Sequence, residues 1–231
     1  MDRAAVRRRM ESMADADAKR FSESLVSGVD NMLGLRMGEI RRIAKEAAAG
    51  DWRAFASDPG DVYFEETMAR GLAIAYAKVP FREKVDCLER FVSTITDWMV
   101  CDSLCATIKP TEGDADEIWN FSVRHLSKDG EFEKRFGAVM LMRFIDGGNV
   151  EEIMGLIAST DHPGYYWKMG AAWALAECCV KCPEAGYGFL SDNEIDREVL
   201  SRTVRKIRES WRPSEEWKDA FRKLVRSESD A

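Results

Sequence analysis

Long apolar runs are missing from this 231-residue chain. No stretch approaches the roughly 18 uninterrupted apolar residues that a membrane span requires, which excludes a transmembrane helix. The N-terminal stretch MDRAAVRRRMESMADADAKR is charged throughout and lacks the apolar h-region of a signal peptide. The expectation is a protein that stays in the compartment where it is made, the cytoplasm. Histidine is scarce, with only His125 and His162 in the whole chain. No alternating strand pattern closed by a hairpin turn occurs, so nothing points to a β-sheet.

Six cysteines are present, but a second CxxC is not. Cys101, Cys105, Cys178 and Cys179 lie in the apolar helical runs WMVCDSLCATI and WALAECCVKC, where a free cysteine behaves as a small hydrophobe. Without a secretory signal, reduced thiols are the default. The CCxxC at Cys178, Cys179 and Cys182 can also be read as half a metal site, although too few further ligands accompany it. Core thiols are the favoured reading, and neither a metal nor a cofactor is expected.

What the chain does have is charge: 32% of its residues are Asp, Glu, Lys or Arg, with a net −7. That balance opposes a polyanionic partner in general. It is unevenly spread. Residues 1–50 carry ten Lys/Arg against eight Asp/Glu, residues 196–231 again ten against eight, and residues 51–195 only fourteen against twenty-five. The excess acid therefore lies in the middle.

The hydrophobic periodicity is that of helices. VYFEETMARGLAIAYAKV (62–79) places Phe64, Met68, Leu72, Ala75 and Tyr76 on one stripe, and FREKVDCLERFVSTI (81–95) repeats it with Val85, Leu88, Val92 and Ile95. FEKRFGAVMLMRFI (132–145) and YYWKMGAAWALAECCV (165–180) are nearly all apolar on their inner sides, and VEEIMGLIAS, ADEIWNFSVRHL and DREVLSRTVRKIRESW supply three more. Breaks such as Asp58-Pro59-Gly60, Val79-Pro80, Gly147-Gly148 and His162-Pro163-Gly164 are compact turns rather than linkers. Helix pairs then recur every ~35–40 residues, the spacing of HEAT-type units. The expected fold is all-α, a curved α-α superhelix (solenoid) of about five or six HEAT-like helix pairs, ten to thirteen helices, in one domain over 1–231. The first ~30 residues are expected to form one or two terminal helices.

Three groups of residues stand out beyond core packing. LGLRMGEIRRIAKEA (33–47) is a turn leading into a basic amphipathic helix with Arg36, Arg41, Arg42 and Lys45. TDWMVCDSLCATI (96–108) carries a W-x-x-x-D-S core, Trp98 to Asp102-Ser103. KRFGAVMLMRF (134–144) is followed by YYWKMGAAWAL (165–175). Together, in this order and from about residue 30 to the C-terminus, these segments resemble the AlkD-like DNA alkylation repair proteins, a family of HEAT-like-repeat DNA glycosylases. The resemblance implies Asp102 as catalytic carboxylate, Trp98 and Trp173 as the two cleft tryptophans, Arg135 as a phosphate ligand, and double-stranded DNA carrying alkylated bases as partner. A monomer without cofactor is expected. The family pattern continues W-x-x-R-E after the second tryptophan. This chain has Ala176 where that arginine stands, followed by Glu177, so one phosphate contact is missing.

The chemistry suits these residue types. An N3- or N7-alkylated purine is cationic and already a good leaving group, so no strong general acid is required. A carboxylate can stabilise the oxocarbenium-like sugar and orient water. Trp98 stands four residues before Asp102, on the same helical face, and an indole beside a cationic base adds about 1–2 kcal/mol when desolvated. An arginine holds phosphate bidentately. No lysine adjoins Asp102, which argues against a Schiff base and lyase chemistry. Structural roles stay open beside the functional ones. Both tryptophans can be core, Asp102 can cap a helix or pair with Arg135, and the Arg36–Lys45 stripe can be a solvated face. The run Arg197, Arg202, Arg205, Lys206, Arg208 and Arg212 can follow a phosphate backbone or balance nearby acids. A non-catalytic HEAT-like module binding distorted DNA or a protein is the second reading.

Overall fold

Every regular element among the described residues is helical, as the 3.6-residue periodicity demands. A computed structural model describes residues 3–26 and 28–226. The chain divides into two compact units, Met1–Glu117 and Ile118–Ala231, with the division falling in the first turn of a helix. In the first unit lie α1 (Arg3–Glu11), α2 (Ala16–Leu25), α3 (Met37–Ala49), α4 (Trp52–Ser57), α5 (Phe64–Tyr76), α6 (Val85–Val92) and α7 (Trp98–Thr107). The second begins within α8 (Ala115–Leu126) and continues with α9 (Glu131–Leu141), α10 (Val150–Ala158), α11 (Tyr165–Lys181), α12 (Pro183–Asp192), α13 (Arg197–Glu209) and α14 (Glu215–Arg226).

Each unit is organised around one helix. In the first, α5 packs on α3, α4, α6 and α7; in the second, α11 packs on α9, α10, α12 and α13. A helix thus meets both its sequence neighbour and the helix after that, which is the sequential packing of an α-α solenoid. Such a central helix keeps only a narrow face outside the core. Accordingly α5 buries residues 64–66 and 68–74, including Glu65, Glu66 and Arg70, and α11 is buried from Gly170 to Cys179 except at Trp173 and Glu177.

The fourteen α-helices among the described residues exceed the ten to thirteen expected from the periodicity. The surplus comes from elements that the apolar segments above do not include: α4 and α12, which have no long apolar stripe of their own, and α14, whose stripe is Trp217, Phe221, Leu224 and Val225. Two expected helices are shorter than their patterns. The 62–79 segment becomes helical only at Phe64, because the Glu66 carboxylate reaches back to the backbone N–H of Val62 (2.7 Å) and Tyr63 (3.0 Å) and fixes them outside the helix. The 81–95 segment opens with a 3₁₀ turn over Phe81–Glu83 behind Pro80 before α6 starts. Lys84 at that junction donates through Nζ to the Ala75 carbonyl, 2.9 Å, satisfying an orphan acceptor at the end of α5; burial lowers its pKa. The first thirty residues hold the two expected helices. Val6 and Met10 anchor α1 in the core, Arg7 Nε meets Glu66 at 3.0 Å, and Arg3 and Arg70 converge on Asp61.

Two carboxylates, Glu65 buried and Glu131 half-buried, fix where helices begin. Glu65, 2% exposed, accepts from three successive backbone N–H groups, those of Leu33, Gly34 and Leu35, at 2.7–3.2 Å. This bend leads directly into α3 and needs Gly34 at φ +90, a conformation L-residues rarely adopt. A Cβ there would also collide with the backbone of Asp15 and Lys19 in the α2 region. Glu131 does the equivalent for α11, whose N-cap Gly164 has no side chain to offer: its Oε1 accepts from the N–H groups of Tyr166 and of Trp167, the latter at 3.0 Å.

Replacing Glu65 by glutamine turns an acceptor-only group into one that presents N–H₂ toward three donors. Hydrogen bonds to a buried charge contribute about 1.5–3 kcal/mol, so Glu65→Gln is expected to lower unfolding free energy by about 2–3 kcal/mol. Urea denaturation followed by circular dichroism measures it, and an unchanged midpoint contradicts the anchoring role.

Candidate functional site

The W-x-x-x-D-S segment is α7. Its N-cap is Asp97, 4% exposed, whose carboxylate accepts from the backbone N–H of Met99 (2.7 Å) and Val100 (3.4 Å). The apolar side of α7, Val100, Cys101, Leu104 and Cys105, is buried; Trp98, Met99, Asp102 and Ser103 are half-buried on the remaining side. Trp98 and Asp102 therefore share one face, a helical turn apart. Both ends of the helix are tied. Trp98 Nε1 donates to the Leu25 carbonyl at 3.3 Å. At the other end, Arg41 Nη1 donates to Thr107 Oγ1 (3.0 Å) and Tyr76 Oη (2.8 Å), while the Thr107 hydroxyl donates to the Ser103 carbonyl, 2.8 Å.

The basic helix α3 consequently splits. Arg41 is half-buried and spent on α5 and α7; Lys45 Nζ stands 5.2 Å from the Tyr76 ring centroid, a cation–π contact. Arg36 and Arg42 are exposed, and the Arg36 N–H donates to Glu39 as the N-cap of α3.

In the second unit, Arg135 and Trp173 belong to the α9–α11 pair. Arg135 is 5% exposed, and its Nη1 donates to the Tyr166 carbonyl at 2.7 Å. Its stem lies against Gly170, where a Cβ would come within 3.0 Å of Arg135 Cγ. Glu131 and Arg135, one turn apart on α9, thus grip both sides of Tyr166: the carboxylate takes its N–H, the guanidinium its C=O. Trp173 lies on the narrow half-buried stripe of α11 with Tyr166, Met169, Glu177 and Val180. Ala176, at the position of the missing arginine, packs in a core cluster with Cys179, Leu190, Leu200, Val204, Ile207 and Phe221, so that position faces inward. Glu177 binds Arg212 Nη2 at 2.6 Å, which brings a different guanidinium to the α11 stripe one turn beyond Trp173.

Much of the C-terminal basic run is internally paired: Arg202 with Glu198, Arg205 with Glu209, Arg212 with Glu177. Arg197 and Arg208 are exposed and make no ion pair among the described residues. Of the cysteines, all but the half-buried Cys182 are buried, and burial pushes the Cys178 thiol up to about 12 and that of Cys179 further still. Among the described residues no group of three or more His, Cys, Asp or Glu could hold a metal, and no helix is long and apolar enough to cross a membrane.

Asp97 is the site group that periodicity reading passed over; the sole sequence signal is Asp directly before the first residue of a helix. Burial is the main cause that raises its pKa, opposed by the backbone donors and reinforced by the Asp102 charge. A folded carboxyl that holds its proton more tightly than the unfolded one stabilises below the unfolded pKa, about 4. That contribution is lost as pH rises through the raised folded value. Asp97→Asn keeps the capping acceptor and removes the titration. The stability of wild type relative to this variant is expected to fall as pH climbs from about 4 to 7, measured by urea unfolding; a pH-independent difference contradicts it.

A search of curated proteins returns no match to this chain. The family model described as DNA alkylation repair enzyme matches residues 6–228, which adds α1 and α2 to the span over which the motifs are recognisable. With a match over nearly its whole length, this chain belongs to the DNA alkylation repair enzyme family.

Proposed function

We propose that the protein is a monofunctional DNA glycosylase that hydrolyses the N-glycosidic bond of cationic N3- or N7-alkylated purines in duplex DNA. The observation that carries this reading is the pairing of Trp98 and Asp102 on the one side of α7 that the core does not take. Family membership supports DNA as the substrate.

In this mechanism the C1′–N bond breaks with both electrons leaving on the purine, which neutralises its positive charge. Positive charge then develops on the sugar. The Asp102 carboxylate stabilises it and holds a water, which adds to C1′ and releases its proton to solvent. Trp98 packs its indole against the cationic nucleotide; Trp173 is carried over from the family pattern alone as the second tryptophan. Arg135, carried over from the family pattern, holds a phosphate beside the lesion; its fixed position against Tyr166 and Gly170 pre-orients the guanidinium. Arg36, Arg42 and Lys45 are proposed as further backbone contacts, with Arg41 steadying α7 through Thr107.

The inward-facing Ala176 favours a second reading, a HEAT-like module that binds distorted DNA or a protein without cleaving. Release of N7-methylguanine and N3-methyladenine from methylated duplex decides between them. Wild type is expected to release both, and Asp102→Asn to be slower by about 10²–10³-fold. Release by neither protein, both folded by circular dichroism, abandons the enzyme reading.

A further inference from the structure

The tip between α13 and α14 combines two features that the catalytic reading leaves unused. Trp211, in the turn joining the two helices, is 88% exposed, the most exposed large hydrophobic side chain among the described residues. The two helices that this turn joins line an open cleft with four cations, Arg205, Arg208, Lys218 and Arg222, against two acids, Glu209 and Glu215. Three of the cations are ion-paired, Arg205 with Glu209 at 2.8 Å, Lys218 with Glu215 at 2.9 Å and Arg222 with Asp219 at 3.0 Å, which leaves Arg208 as the uncompensated one among the described residues. Arg222 Nε is a buried donor with no hydrogen-bond partner.

One exposed indole is ordinary on a protein surface; what marks Trp211 is its place in the chain three residues after the unpaired guanidinium of Arg208. The pairing of planar apolar surface with forked cationic donors matches a sugar–phosphate backbone: guanidinium groups take the phosphate oxygens, and the indole lies against the sugar and base edge. An acidic or neutral apolar partner would leave one of the two features unmatched. The chain's net −7 makes such a local surplus more telling, because it is held against the global balance.

We infer that the α13–α14 tip is a second DNA-binding surface, which grips the sugar–phosphate backbone of undamaged duplex through Arg205, Arg208 and Arg222 with Trp211 as its aromatic contact. This rests on the reading of DNA as substrate, but not on Asp102 or on excision. In the glycosylase reading it supplies a backbone contact to offset the one that Ala176 cannot make.

Fluorescence anisotropy of an unmodified, labelled duplex, titrated with the full chain at several salt concentrations, tests it. Trp211→Ala is expected to weaken Kd about tenfold. Arg208→Gln with Arg205→Gln is expected to reduce the slope of log K against log salt by about 2. All of these side chains are at the surface, so melting temperatures should match wild type and confirm the fold. If wild type binds duplex while both variants keep its Kd and slope, the inference fails and the glycosylase reading stands. If wild type binds no unmodified duplex at any salt, the inference fails, and base release from methylated duplex decides the glycosylase reading separately. If Trp211→Ala instead abolishes a dimer seen by sedimentation and leaves Kd unchanged, the tip is a self-association surface and the inference is overturned.

Discussion

A glutamate carboxylate that replaces water on backbone N–H groups is the interaction on which the rest depends. Glu65 fixes the bend from which α3 starts, and α3 in turn carries Arg41 to the far end of α7. Glu131 fixes the start of α11, and the same residue that it holds, Tyr166, receives Arg135. Each carboxylate is acceptor-only and meets only donors, so its charge is compensated by peptide dipoles rather than by a counter-ion. Helices of ten to thirteen residues have little stability alone; these contacts convert them into elements with a defined start and azimuth. Trp98 and Asp102 in one unit, and Arg135 and Trp173 in the other, inherit their orientation from that.

Electrostatics are handled locally. The acidic total coexists with arginines that are already committed: Arg41 to hydroxyls, Arg3 and Arg70 to Asp61, Arg202, Arg205 and Arg212 to glutamates. Counting Lys and Arg along the sequence therefore overstates the charge available to a polyanion. The few uncommitted cations, such as Arg36, Arg42, Arg197 and Arg208, matter more than the totals. Exposed pairs such as Arg205–Glu209 contribute only about 0.2–1 kcal/mol and are readily exchanged for a phosphate.

Fold class and the family motifs were legible in the sequence because both reside in local patterns: a 3.6-residue stripe for each long helix, and a W-x-x-x-D-S run that needs no knowledge of neighbours. What was not legible depends on distant residues. Glu65 and Glu131 look like ordinary first-turn acids until the backbone they hold, thirty or more residues away, is placed. Arg41 reads as part of a solvated basic stripe, yet its partners Tyr76 and Thr107 draw it inward. Ala176 reads as a lost surface arginine, whereas packing assigns that position to the core. The short helices α4 and α12 escaped because six to ten residues carry too little periodicity to separate from a loop.

The buried cysteines bear on survival in the presence of electrophiles. Methylating agents attack thiolates, not thiols, and nucleophilic strength therefore follows the fraction ionised. Burial pushes the Cys178 thiol up to about 12 and that of Cys179 further, so both stay protonated at neutral pH. A protein of an alkylation repair family that lined its surface with reactive sulfur would be consumed by the same reagents that damage its substrate. Enclosing the thiols in α7 and α11 gives these helices small, polarizable packing atoms while denying the reagent a target.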